Sequence, residues 1–130
     1  MAYSSKMTSE ILYERLLSFA KDCQGLVVSL PKNTWNYEYS SQLIRSSSSP
    51  GANYIEAIEA LSPKDFTHRL KICRKESKES IHWLMLIKYA NKNFQEIQIK
   101  TEKLISEARE FIKIFASSIL TSERNQKIKK

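Results

Sequence analysis

LSPKDFTHRLKICRKESKESIHWLMLIKYA, residues 61–90, decides the fold. Ser62-Pro63-Lys64-Asp65 places a capping hydroxyl, a proline at the first helical position and a carboxylate at the third, the start signal of a helix. From there Phe66, Leu70, Cys73, Ser77, Ser80/Ile81, Leu84 and Ile87 recur at three- and four-residue steps, so one helix face is apolar to about Ala90. At ~100° per residue, Lys64, His68, Lys71, Lys75, Lys78 and His82 fall on nearly the opposite face. A third line, Ile72, Trp83 and Ala90, lies between the two.

Outward from this helix the same period returns three times. Leu12, Leu16, Phe19, Cys23, Leu26 and Leu30 mark a helix over about 9–30, capped by Thr8 or Ser9 and ended by Pro31. Ile97, Thr101, Leu104, Ala108, Phe111 and Phe115 mark another over about 95–120, after a turn at Asn91 to Asn93. The tail 121–130 loses the pattern, turns polar and basic, and is expected to be disordered.

The remaining helix, about 33–60, holds its stripe through Tyr39, Leu43, Ser47, Tyr54 and Ala57 but is interrupted by SSSSPG. Pro50 removes a backbone donor and crowds the preceding turn, so a kink near Pro50 is expected, with a true loop and five shorter helices as the alternative. Small side chains there let the helix approach its neighbours closely, and the hydroxyls of Ser46 to Ser49 are expected to satisfy carbonyls released by the proline.

Four amphipathic segments joined by short connections predict an all-α, up-down-up-down antiparallel four-helix bundle forming one domain over 1–130. With 2 Gly, 3 Pro and 42% hydrophobic residues, the composition fits neither a turn-rich β protein nor a disordered chain. The start lacks the apolar run of a signal peptide, and no later stretch approaches ~18–20 apolar residues, so a soluble cytoplasmic protein away from membranes is expected.

The chain carries a formal net charge of +7, and its placement is uneven. Residues 64–78 hold six Lys and Arg against Asp65 and Glu76, and the last ten residues hold Arg124, Lys127, Lys129 and Lys130 against Glu123, so these two segments contain the whole excess. A local excess of this kind points to an anionic partner. Lys64, Lys71, Lys75 and Lys78, with His68, Arg69 and Arg74, are therefore candidate contacts to the phosphates of RNA or DNA. A solvated face, or a scaffold surface that docks an acidic protein without nucleic acid, is the competing reading. Aromatic residues do not interleave with these lysines along the helix, which favours phosphate contact over base stacking.

No reaction is legible, and a non-enzymatic role is expected. Gly-rich phosphate loops and the HExxH, GxSxG and CxxC patterns are absent, so neither a catalytic residue nor a cofactor is assigned. Cys23 and Cys73 fall on apolar faces and read as buried thiols. His68 and His82 lie about four turns, ~21 Å, apart and cannot share a metal within one subunit. Glu79 and His82 have the Glu-x-x-His spacing of di-metal bundles, but one such pair turned from the core does not make a metal site. Arg45, Asn53 and Glu56 read as a buried polar network that fixes the kinked helix. Ile72, Trp83 and Met85 exceed what one interior can take and read as an interface between copies, as do Leu17, Ile99 and Ile114 on other helices.

From Gln42 to Ile87, Arg45-Ser46, Asn53, Glu56, Asp65-Phe66 and Glu76 or Glu79 match in order the pattern of a bacterial family of four-helix bundle proteins, which the chain resembles. Its members were first called ribosomal-protein-like because some are encoded in intervening sequences of 23S rRNA genes. Ala57 stands where the family often has glycine. The resemblance implies a homopentamer, and similarity to a basic retroelement accessory protein that binds nucleic acid and a reverse transcriptase.

Overall fold

The computed structural model describes residues 7–128. Four helices follow one another: α1, Ser9–Ser29; α2, Thr34–Ile58; α3, Pro63–Ala90; and α4, Gln95–Ile128. The first three open on a side-chain cap. Thr8 accepts from the Ile11 amide at 3.1 Å, Asn33 from Asn36 at 2.9 Å, and Ser62 from Asp65 at 3.0 Å. The Ser62-Pro63 start expected from sequence is thus where α3 begins.

Bonds across helices set their directions. Asn36 meets Asn91 near one end of the α2/α3 pair and Asn53 meets Arg69 near the other, so these helices run antiparallel. Lys88 pairs with Glu102 while Lys71 pairs with Glu123, which sets α4 antiparallel to α3. Gly51 of α2 faces Leu16 and Tyr13 of α1. Arg15 reaches Glu107 at 2.7 Å and the rings of Phe19 and Phe111 meet edge-on at 5.4 Å, which closes the ring of helices between α1 and α4. The α2/α3 contact is the most extensive, and α1 against α4 the sparsest.

The core is one cluster fed by all four helices, with Phe19, Leu43, Cys73, Leu84, Phe111 and Phe115 essentially inaccessible. Its members fall on the three- and four-residue stripes read from sequence, because an interior shared by four helices accepts one face from each. No described helix is long and apolar enough to cross a membrane.

Two expectations need correction. α2 is one helix through the SSSSPG run, as the leading reading expected, with Pro50 buried, and only the five-helix alternative falls; what needs correction there is the role of the serines. The serine hydroxyls do bond their own helix, but Ser46, Ser47 and Ser48 reach the carbonyls of Leu43 and Ile44, and of Arg45 from Ser48, not the Ser46 carbonyl that a proline at 50 leaves free. Small size matters across the seam, where Ser46 and Ser80 join hydroxyls at 3.0 Å.

The second correction concerns the tail. α4 runs on to Ile128, eight residues beyond the expected end. Thr67 and Ser122 share a hydrogen bond at 2.6 Å, and Gln126 donates to Thr67 at 2.8 Å and to the Pro63 carbonyl at 3.2 Å. Hydrogen bonding to the start of α3 replaces the apolar stripe as the anchor. Residues 129 and 130, the last of the expected tail, lie outside the described residues.

Candidate nucleic-acid interface

α3 positions the basic residues because its buried stripe fixes which way the rest of the helix must face. Leu70, Cys73, Ser77, Ser80, Leu84 and Ile87 are turned inward, so Lys64, His68, Lys71, Lys75, Lys78 and His82 form an exposed outer row. Lys71 pairs with Glu123 of α4 at 2.9 Å, an exposed contact that little energy holds. Lys64, Lys75 and Lys78 have no carboxylate partner among the described residues, and neither has the half-buried Arg74.

Two carboxylates beside the row, Glu76 and Glu79, turn to the α2 seam, while Asp65, exposed at the start of α3, makes no ion pair among the described residues. Glu76 accepts from Arg45 at 3.3 Å and Glu79 at 2.7 Å, both across the seam to α2. The bond to Glu79, and then the charge of Glu76, holds the Arg45 guanidinium still more firmly protonated than usual. Along its middle the outer row is therefore flanked by neutralised acids and keeps its positive field, which the exposed Asp65 offsets only at the Lys64 end.

Arg69 does not join the row. It is half-buried and donates to Asn53 at 3.1 Å, because its position faces the α2 seam. Nor do Arg45, Asn53 and Glu56 form one buried network. Arg45 bridges to α3, Asn53 bonds Ser49 and Arg69, and Glu56 is exposed without a partner among the described residues. Glu56 lies about 60° round α2 from Asn53, enough to turn it to solvent.

Of the residues read as an interface between copies, Ile72 and Trp83 are half-buried within the subunit and Met85 is 55% exposed. Trp83 packs on Tyr39 of α2, with ring centroids 6.2 Å apart, and meets His82 in a T-shaped contact at 4.8 Å. Its Nε1 is buried with no acceptor among the described residues. Tyr39 in turn stacks on Trp35 at 6.4 Å. Reading along the chain missed this assembly. The i, i+4 pair Trp35 and Tyr39 was its one local signal, since its third member comes from another helix.

The thiols are structural. Burial pushes both Cys23 and Cys73 up to about 12, and Cys73 donates to the Pro50 carbonyl at 3.4 Å. No group of three or more His, Cys, Asp or Glu side chains placed to hold a metal occurs among the described residues.

Fold and surface thus define an all-α four-helix bundle with a cationic helix face. The family model of the 23S rRNA-intervening sequence proteins matches residues 9–116, and the chain belongs to that family. It is also similar to a solved protein of unknown function from the S23 ribosomal protein family of Bacteroides thetaiotaomicron, at 30% identity and a TM-score of 0.75 over 87% of this chain and 98% of that one. No curated protein matches the chain.

Proposed function

We propose that the protein is a non-enzymatic, cytoplasmic bundle that binds the phosphates of RNA or DNA along the outer row of α3 and acts as a homo-oligomer, a pentamer by the family resemblance. The observation that carries this reading is the row itself. Lys64, Lys71, Lys75 and Lys78 project from one line of α3 while Arg45 draws Glu76 and Glu79 to the α2 seam. Ammonium groups on a rigid helix act as point charges toward a polyanion, and releasing its counterions drives association. The family's name links it to intervening sequences of ribosomal RNA, which makes a structured RNA the first ligand to test. Exposed apolar side chains at Ile44, Met85 and Ile99 support contact between copies, and repetition of the row multiplies weak sites.

The test is binding of a labelled structured RNA and a matched DNA duplex across a salt series, beside a variant with Lys64, Lys71, Lys75 and Lys78 changed to Gln. Binding that weakens steeply with salt in the native protein and collapses in the variant supports phosphate contact on α3. Absence of binding even at ~50 mM salt, where phosphate contacts are favoured, overturns it and leaves docking of an acidic protein as the use of the row.

A further inference from the structure

The cationic row ends in aromatic rings. His82, its last member, meets Trp83 in a T-shaped contact, Trp83 packs on Tyr39, and Tyr39 on Trp35, at centroid separations of 4.8, 6.2 and 6.4 Å. The outermost ring, Trp35, is 63% exposed although it opens α2 and has the buried residue Asn36 beside it. Tyr89, 69% exposed and at the same end of the bundle, has Lys92 Nζ 4.9 Å from its ring centre.

We infer that this aromatic ladder is a stacking platform for the unpaired bases of a single-stranded nucleic acid whose phosphates lie on the α3 row. The inference rests on the phosphate-binding reading of that row and extends it from charge to base. A cationic track leading onto aromatic faces is the arrangement that holds single strands without reading sequence, because every base has a π-face while phosphates follow the lysines. Charge around the ladder leaves room for a strand to approach. Glu79, beside the ladder on α3, is already paired with Arg45, and the exposed Glu38 near Trp35 is offset by Lys32 and Lys92 at the same end, so it does not repel a strand. A strand crossing from Lys75 and Lys78 toward Trp35 meets an exposed ring at that end, where its bases can stack. Duplexes bury their base faces and engage the row alone.

The experiment titrates the full-length protein with 15-nucleotide poly(U) and poly(dT), and with an RNA duplex of equal charge, while following tryptophan fluorescence and affinity. Single strands are expected to quench the emission and the duplex to leave it nearly unchanged. Trp35→Ala is expected to weaken single-strand binding about tenfold and leave duplex affinity unaltered. Trp35→Phe, which keeps a π-face, restores most of the loss, and Tyr37→Ala, outside the ladder and 76% exposed, changes neither. Equal single-strand affinity in native protein and Trp35→Ala, with duplex binding intact, overturns the platform and leaves the lysine row standing. A change of oligomeric state in Trp35→Ala without a change in binding makes the ladder a contact between copies and also overturns it. Failure of every nucleic acid to bind removes the row and the platform together.

Discussion

The side-chain amides of Asn36 and Asn91 bond each other in both directions, Asn36 Nδ2 to Asn91 Oδ1 at 3.0 Å and Asn91 Nδ2 to Asn36 Oδ1 at 2.7 Å, with each residue 2% exposed. Each amide also donates to a backbone carbonyl, Asn36 to Pro31 and Asn91 to Ile87, so the pair ties the entry of α2 to the exit of α3. Truncating either residue to Ala strands the other in a dry site and is expected to lower stability by about 1–3 kcal/mol. The double variant is expected to lose less than the sum of the singles, since the second truncation removes the stranded group. Urea unfolding of the four proteins measures this, and additive losses would show that the two amides act independently.

The helices were legible because their evidence is local: a period of three and four, and a cap at Ser62. What the surface does with its charges was not, since it depends on register between helices. Nothing in the spacing of Glu76 and Glu79 says that Arg45, some thirty residues earlier, meets both across the α2/α3 seam. The ladder of Trp35, Tyr39 and Trp83 was hidden for the same reason. The end of α4 was misread because Thr67, Ser122 and Gln126 anchor it with polar groups, which a search for apolar periodicity reads as a frayed end.

Arg45 has an unequal hold on its two acids. Glu76 has a side chain only 9% exposed, whereas Glu79 is 36% exposed and keeps its water when unpaired. Arg45→Ala is therefore expected to destabilise by about 1–2 kcal/mol, chiefly through a shielded carboxylate left without a partner. Glu79→Gln, which disturbs the outer pair alone, is expected to lose under about 1 kcal/mol. The same urea measurement ranks them, and a larger loss from Glu79→Gln would reverse the assignment of the buried partner.

The two thiols predict an alkaline weakness. Burial raises Cys23 and Cys73 from 9.0 to about 12, so between these values the unfolded chain releases protons that the native protein retains. Stability gained from the neutral thiols is full below pH 9 and falls as pH rises above it, by about 1.4 kcal/mol per pH unit for each thiol. Unfolding midpoints at pH 8, 9 and 10 are expected to decline more steeply in the native protein than in a Cys23→Ala, Cys73→Ala variant. Parallel declines would mean that the thiols ionise in the folded protein as readily as outside it.

One hydroxyl gathers two of the bonds that hold the last turns of α4. Thr67 Oγ1 bonds Ser122 and accepts from Gln126, and Thr67 is 5% exposed, so the contact sits at the edge of the core while its partners reach outward. Thr67→Val keeps nearly the same shape and removes that oxygen, leaving the Gln126 bond to the Pro63 carbonyl at 3.2 Å and the exposed pair of Lys71 and Glu123 to hold the segment. Amide hydrogen exchange over residues 121–128 is expected to accelerate while the middle of α3 keeps its protection, because local opening of a helix end leaves the shared core intact. Unchanged exchange in the variant would show that the end of α4 is helical by its own propensity, without the bond to α3.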